Sequence, residues 1–438
     1  MATTTKTAKP ASFNPLAEKG TPLDRQIRSW DEIVHNPYDK HEIDAYSRAR
    51  QILINGIEIE GWVFNHSFAR SVADDQLKQL LARVRHVEDQ QQTTINWLTP
   101  ADQTILETTL AYEQVAVDLT AWLAQNEPDT MVRQAFDFGL LEDFDHLYRY
   151  AQMYHLLENK DPNAILQGKT DVFPGRPTQD HHNDSALRLR KFYDGKKAAP
   201  ITKVNVLTLM AGEQQTHNFY KAHGFMYGNP TLSKLYAEIG DVEEEHVTQY
   251  ESLMDPTVSM FEKWLLHEFT EVCNYYTFLQ QEPDQRLCRI WEQFLSFELE
   301  HLRLAAEAFK KQEKRDPEEV IGKQVLQPSR FESQKQYVAK VLREQIDLRL
   351  NAEKGYTRTA DLPGDWANYN FQQAMNGERC PSETVVQISI DTFGCDFSRA
   401  SDDLMREKQA ILTRGLDKVK APNTVEPEAL LAATTETR

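Results

Sequence analysis

A hairpin motif that occurs three times is the sequence feature that most constrains how this chain folds. In each copy, a glutamate precedes an acid-x-x-His segment, and the interval between them is identical in all three. The three copies are Glu113 with Asp143 and His146, Glu213 with Glu243 and His246, and Glu268 with Glu298 and His301. The interval suits one helix, a turn and a return helix, because a helix of about 20 residues spans about 30 Å. The sequence therefore predicts three antiparallel helical hairpins.

The spacing within each motif indicates a metal site. Residues three positions apart lie on the same face of a helix, so the acid and the histidine reach one cation together. The lone glutamate on the neighbouring helix adds a further carboxylate. Two such hairpins supply the carboxylate and imidazole ligands of the dimetal sites that helical bundles build in their cores. These ligand types suit iron or manganese.

Apolar residues flank the motif residues. Leu106, Leu110 and Val117 surround Glu113, so the side of the helix that carries the acid also faces the core. A single acid-x-x-His segment in an acidic helical protein is usually a solvated helix face. Three copies with matching flanks favour metal binding instead, because buried carboxylates need a neutralising partner.

The rest of the chain also has helical patterns, with only 17 glycines. We therefore expect an all-α protein, a helical bundle enlarged by extra hairpins, with a C-terminal arm. The expected divisions are a flexible tail over 1–25, a helical pair over 26–99, a core with the three hairpins over 100–312, an arm over 313–420 and a second flexible tail over 421–438. Within the arm, helices are expected near 332–351 and 384–412.

Charge and composition exclude several classes of partner. The chain has 49 basic and 67 acidic residues, a net charge of −18. A surface this negative repels phosphate backbones and anionic lipids, so we expect neither nucleic-acid nor membrane partners. The N-terminus lacks the apolar segment of a secretory signal, and the four cysteines form no C-x-x-C pair. We expect a cytoplasmic protein.

The motifs resemble those of the ferritin-like superfamily, in particular rubrerythrin-type proteins. The segment Ile239-Gly240-Asp241-Val242-Glu243-Glu244-Glu245-His246 is similar to the fourth helix of rubrerythrin-type domains, which binds metal, and the likeness covers about residues 100–312. It implies two iron ions, or manganese, held by Glu113, Asp143, His146, Glu213, Glu243 and His246. Asp143 departs from the usual glutamate and is shorter by one methylene, which implies different chelation or a more open site.

The partner of each hairpin is not fixed by the motif. Residues 159–199 form a connection long enough to travel the length of a bundle, so the first and second hairpins pair naturally. The third hairpin follows a tight turn at Asp255-Pro256. It either competes with the first hairpin for the site or builds a separate site with groups such as Glu271. His181 and His182, within the long connection, are expected to be exposed to solvent.

The resemblance implies a non-haem dimetal oxidoreductase that activates dioxygen or peroxide. The chain has no rubredoxin-like module, so oxygenase turnover would draw electrons from a separate reductase, whereas peroxide dismutation needs none. The alternative is iron oxidation or sequestration without an organic substrate. A third interpretation is a scaffold that has lost its metal and serves interactions. A homodimer is compatible with any of these functions.

Overall fold

The computed structural model describes residues 13–351, 354–377 and 380–415, and most of these residues are helical. This confirms the prediction of a predominantly α-helical protein. Of the flexible tails predicted over 1–25 and 421–438, residues 1–12 and 421–438 lie outside the described residues. The prediction was wrong for 13–25, because this segment packs on the body: Phe13 stacks on Tyr276, and the backbone N–H of Thr21 donates to the carbonyl oxygen of Ser296 at 2.8 Å. None of the described helices combines the length and the apolar character that crossing a membrane requires.

Eight long helices form the body, and shorter ones cover it. In chain order the helices are α1 (Trp30–Ile33), α2 (Ala45–Ser71), α3 (Asp75–Asn96), α4 (Ile105–Asn126), α5 (Thr130–Glu158), α6 (Asn163–Leu166), α7 (Ser185–Arg188), α8 (Pro200–His223), α9 (Pro230–Ser252), α10 (Met260–Gln281), α11 (Gln285–Glu313), α12 (Glu318–Ile321), α13 (Lys335–Gln345), α14 (Asn368–Asn376), α15 (Pro381–Phe393) and α16 (Asp402–Gly415). Two strands, β1 (Leu348–Asn351) and β2 (Gly355–Arg358), pair antiparallel.

Side-chain caps explain where the body helices begin. Asp74 and Asp129 accept hydrogen bonds from the first backbone N–H groups of α3 and α5. At the start of α4, Thr104 and Glu107 form a capping box, each side chain accepting from the other's backbone N–H. These local signals fix the hairpin turns and hence which residues of facing helices lie opposite each other.

The body consists of two halves with the same order of helices. Glu113 and Glu268 differ by a fixed offset in residue number. The same offset relates both ends of α4 to those of α10, and both ends of α5 to those of α11. The same shift takes the starts of α2 and α3 to the starts of α8 and α9. The N-terminal pair is therefore a fourth hairpin equivalent to the second. We call α2–α3 the N-terminal hairpin, and α4–α5, α8–α9 and α10–α11 the first, second and third hairpins.

The halves exchange hairpins when they fold. The first bundle combines α4 and α5 with α8 and α9, and the second bundle combines α2 and α3 with α10 and α11. The repeated Glu-Pro-Asp turns show the symmetry. Glu127, in the first turn, accepts hydrogen bonds from Thr202 and Asn205 of α8 at 2.5 and 2.8 Å. Its counterpart Glu282 accepts from Ser47 and Arg50 of α2, at 2.6 and 2.8 Å.

The C-terminal arm packs against the first bundle. Tyr148 of α5 donates to Asp396 at 3.0 Å, and Arg149 pairs with Glu383 of α15 at 3.1 Å. Two predictions for the arm were wrong. The helix expected through 351 ends at Gln345, because the alternating Leu348-Arg349-Leu350 segment pairs as a strand. The helix expected over 384–412 is two helices, separated at Gly394, whose φ of 78° is a backbone conformation that glycine adopts more readily than other residues.

Candidate metal centre

The six ligands implied for the first and second hairpins meet inside the first bundle. Glu113 comes from α4, Asp143 and His146 from α5, Glu213 from α8, and Glu243 and His246 from α9. All six are buried, with at most 1% of each exposed. Their donor atoms form two groups whose members lie within 4.8 Å of one another: Asp143, Glu213, Glu243 and His246, and Glu113, His146 and Glu243. Glu243 belongs to both groups. We call these six residues the first cluster.

The carboxylate of Glu243 lies between the two imidazoles. His146 Nδ1 is 3.1 Å from Glu243 Oε1, and His246 Nδ1 is 3.2 Å from Glu243 Oε2. Burial alone would raise the pKa of Glu243, but the imidazoles hold that pKa below its usual value. A carboxylate that turns one oxygen towards each of two imidazole nitrogens is placed to bridge two cations.

Buried ion pairs orient His246. Its Nε2 donates to Glu142 Oε2 at 2.7 Å, and Arg188 Nη1 lies 2.8 Å from the same oxygen. Arg176 Nη1 lies 3.3 Å from the other oxygen. Burial would raise the pKa of Glu142, but Arg188 and the nearby imidazoles keep it well below the usual value. An ionised carboxylate on Nε2 fixes the tautomer that leaves Nδ1 available to a cation.

Several carboxylate oxygens of the first cluster have no hydrogen-bond partner among the described residues. They are Glu113 Oε2 and both oxygens of Asp143 and of Glu213. Burial and the neighbouring carboxylates raise the pKa of Glu113 and of Asp143 well above the usual value. Buried polar atoms without partners are costly, and divalent cations would both neutralise and coordinate these oxygens. The donor set therefore fits a pair of divalent cations.

Tyrosines enclose the first cluster. Tyr220 donates to Glu113 Oε1 at 2.5 Å. Tyr150 and Tyr250 are fully buried, and their hydroxyl groups have no hydrogen-bond partner in the part of the chain that the structure describes. A Cβ at Gly139 would overlap the hydroxyl oxygen of Tyr250, so this position of α5 admits no larger residue while Tyr250 keeps its place. These rings limit access of water to the cluster.

The expectation that His181 and His182 are exposed was wrong, because both are buried. The ring centre of His181 lies 5.4 Å from that of His146, and His182 Nε2 lies 3.4 Å from Glu238 Oε1. The long connection folds over the first bundle, since buried acids of α5 and α9 find their partners in it. Asp145, for example, accepts from the backbone and hydroxyl of Thr178 in the connection.

The third hairpin contributes nothing to the first cluster. Glu268, Glu298 and His301 lie in the second bundle, together with acids from the N-terminal hairpin and Glu271. Two groups have donor atoms within 4.8 Å of one another: Glu88, Glu268 and His301, and Glu58, Glu271 and Glu298. We call these residues the second cluster. Of the arrangements that the sequence left open, the structure has the first hairpin with the second, and the third in a separate cluster.

Sequence reasoning missed Glu58 and Glu88, although a signal for them exists. Glu58 precedes Glu88 by the same interval that separates Glu213 from Glu243, and Gln91 follows Glu88 by three positions. This is the hairpin motif with glutamine in place of histidine. Because Gln91 replaces the histidine, the acid-x-x-His pattern does not include the N-terminal pair, which the sequence analysis places outside the core of three hairpins.

Comparison of the chain with protein-family models, with curated proteins and with solved structures finds no match. Six buried ligand-type side chains from four helices converge in the first bundle, and this convergence is the main indication of function.

Proposed function

We propose that the first cluster is the dimetal centre of a ferritin-like oxidoreductase, with iron or manganese, that reacts with dioxygen or peroxide. The observation that carries this proposal is Glu243, which turns one oxygen to the imidazole of His146 and the other to that of His246. In ferritin-like dimetal proteins two helices each supply a glutamate and two each supply an acid-x-x-His pair. The first bundle has this arrangement, apart from aspartate at 143.

The donor set supports iron or manganese over zinc. The first cluster contains carboxylates and imidazoles and no thiolate, whereas structural zinc sites usually include cysteine. When bound, such a metal pair supplies Lewis acidity and exchangeable electrons for reaction with an oxygen species. The protein's own contribution is to hold the ligands: Glu142 and Arg188 fix the ring of His246, and Tyr220 fixes the carboxylate of Glu113.

Burial favours a small reactant. The six residues of the first cluster are at most 1% exposed, and the aromatic rings of Tyr150 and Tyr250 are fully buried beside them. Dioxygen and hydrogen peroxide are small enough to reach such a site, whereas an organic substrate would need a cleft. Peroxide dismutation would need no reductant, while turnover with dioxygen would take electrons from a separate reductase.

Iron oxidation or sequestration without an organic substrate is the second candidate. The same burial supports it, because iron(II) and dioxygen are both small. The two functions differ in stoichiometry. A catalytic centre consumes oxidant repeatedly with a constant metal content, whereas an iron-oxidising protein consumes oxidant in proportion to the iron(II) supplied.

The proposal is tested by loading metal-free protein with iron(II) or manganese(II) and following consumption of dioxygen and of peroxide, with and without a reductant. We expect the loaded protein to consume at least one of them faster than metal-free protein by on the order of 100-fold or more, a small part of the acceleration that enzymes reach. Free metal at the same concentration, without protein, is the control. Equal rates for loaded protein, metal-free protein and free metal would rule the proposal out.

A further inference from the structure

The second cluster is the counterpart of the first under the shift that relates the two halves. Glu268 and His301 correspond to Glu113 and His146, and Glu88 corresponds to Glu243. This part of the second cluster keeps the ligand types of the first.

The remaining part of the second cluster differs from the first. Gln91 stands where the first cluster has His246, and Glu271 stands where the first bundle has Ala116. Glu298 takes the place of Asp143 and so keeps a carboxylate there. One imidazole is therefore absent, and one carboxylate is added.

The part that keeps its histidine is built like a metal position. His301 Nδ1 lies 3.1 Å from Glu298 Oε2 and 3.8 Å from Glu268 Oε2. Its other nitrogen, Nε2, lies 2.7 Å from Gln26 Oε1, so the segment before α1 orients this ring as Glu142 orients His246. The Nδ1 atom of His301 thus faces the acids.

In the other part of the second cluster, the side chains that could bind a cation together are all carboxylates. Glu58, Glu271 and Glu298 each have an oxygen within 4.8 Å of the others. Gln91 Nε2 donates to Glu298 Oε1 at 2.7 Å and to Glu58 Oε1 at 3.0 Å, which holds the two acids together. The equivalent place in the first cluster is occupied by the imidazole of His246.

Unpartnered oxygens point to a cation rather than to a closed hydrogen-bonded network. Glu58 Oε2, Glu268 Oε2 and Glu271 Oε2 are buried, and none has a hydrogen-bond partner among the described residues. The backbone also makes room for Glu271: a Cβ at Gly61 of α2 would lie 2.5 Å from Glu271 Oε1. Positive charge nearby stabilises buried glutamates packed this closely, and a divalent cation would supply that charge and coordinate the unpartnered oxygens.

We propose that the second cluster is a second metal centre whose two positions differ in chemistry. One position, at Glu88, Glu268 and His301, has carboxylate and imidazole ligands like those of the first cluster. The other, at Glu58, Glu271 and Glu298, has oxygen ligands only and takes a hard divalent cation. Oxygen-only sites suit Mn²⁺, Mg²⁺ and Ca²⁺, whereas imidazole improves binding of later metals such as Zn²⁺. This inference goes beyond the proposed function and does not depend on it.

The test uses the Glu243→Gln protein, in which the first cluster has lost its bridging carboxylate, so that bound metal reports on the second cluster. Metal-free protein is titrated with Mn²⁺, followed by electron paramagnetic resonance, and then challenged with Zn²⁺. Adding Gln91→His and Glu271→Ala gives the second cluster the donor types of the first. We expect this change to raise the preference for Zn²⁺ over Mn²⁺ at one position by about tenfold or more.

Further variants locate the metal. Glu58→Gln, which keeps the size of the side chain, should remove about one bound Mn²⁺ per chain. Asp89→Asn is the control, because Asp89 is an exposed acid next to Glu88 and its replacement should not change the metal content. Circular dichroism and thermal unfolding verify that each variant folds. The inference is overturned if adding Glu58→Gln to the Glu243→Gln protein does not lower the amount of bound Mn²⁺. It is equally overturned if Gln91→His with Glu271→Ala leaves the metal preference unchanged.

Discussion

Replacing Glu243 with glutamine is expected to empty the first bundle of metal. The carboxylate of Glu243 belongs to both groups of donors in the first cluster, so its loss should weaken both of the proposed metal positions at once. The content of metal should fall by about two ions per chain, and consumption of dioxygen or peroxide should fall to the level of metal-free protein. Glutamine has the same size as glutamate, so the fold should survive. Elemental analysis of protein purified without chelators measures the metal.

Two matched variants sharpen this prediction. Glu244→Gln changes an exposed acid on the same helix and should leave the metal content unchanged. His146→Ala removes a ligand from one group only, so it should weaken one position more than the other. If Glu243→Gln binds as much metal as Glu244→Gln, Glu243 does not bridge a metal pair.

Replacing Arg188 with methionine is expected to destabilise the fold strongly. Arg188 is fully buried and joins Glu142 at 2.8 Å to Glu245 at 2.7 Å. Its Nη2 also donates to the carbonyl oxygen of His181 at 2.7 Å. Removing one member of a buried ion pair leaves uncompensated charge and costs about 3–5 kcal/mol. Urea unfolding of the metal-free protein measures the change in the free energy of unfolding.

The same variant should also weaken metal binding. Without Arg188, the carboxylate of Glu142 loses one of the charges that keep it ionised and therefore holds His246 less firmly. Loss of such an outer partner typically lowers metal affinity by about 10- to 100-fold. Arg303→Met is the control, because Arg303 is 44% exposed and its pair with Glu300 contributes at most about 1 kcal/mol. Equal stability of the two variants would contradict the buried network.

The first cluster could be predicted from the sequence because the residues that identify it lie close together within single hairpins. A glutamate, an acid and a histidine at helical spacing identify one face of a hairpin, and the apolar neighbours of Glu113 show that this face is buried. The long connection before α8 also indicated the correct pairing of the first and second hairpins. The structure brings all six of these side chains together.

Only part of the second cluster was predicted: the third hairpin and Glu271 were named as a possible separate site, but Glu58 and Glu88 were not. Gln91 conceals the motif of the N-terminal hairpin, and only the partner helices α10 and α11 reveal what Glu58 and Glu88 face. Which hairpins pair depends on contacts between segments far apart in the chain, such as α2 and α10. No periodicity within one hairpin encodes such a contact.

The buried connection was also beyond sequence reasoning. A run with His181, His182 and several acids is typical of a solvated loop, and only the charges of α5 and α9 make its burial favourable. Whether burial of the connection is favourable depends on ion pairs such as Arg188 with Glu142, whose members are 46 residues apart in the chain. Polarity in a short window does not indicate whether such partners exist.

The exchange of hairpins means that neither half of the body completes a cluster alone. The first bundle combines the first hairpin, from one half, with the second hairpin, from the other half. The second bundle combines the N-terminal hairpin and the third hairpin in the same way. The chain passes between the bundles over short segments, from α3 to α4 and from α9 to α10, whereas the long connection over 159–199 joins α5 and α8 of the same bundle. The two candidate centres are therefore tied to one folding unit, and loss of one hairpin should affect both.

The most direct test of the central claim is an anomalous difference map from crystals of the protein loaded with Mn²⁺, recorded at a wavelength where manganese scatters anomalously. If the first bundle holds a metal pair, the map should show two peaks there, about 3.5–4 Å apart, with Glu243 between them. Each peak should also lie within about 2.3 Å of a carboxylate or imidazole of the first cluster. Peaks only at exposed acids, or no peak beside Glu243, would contradict the claim that this bundle holds a metal pair.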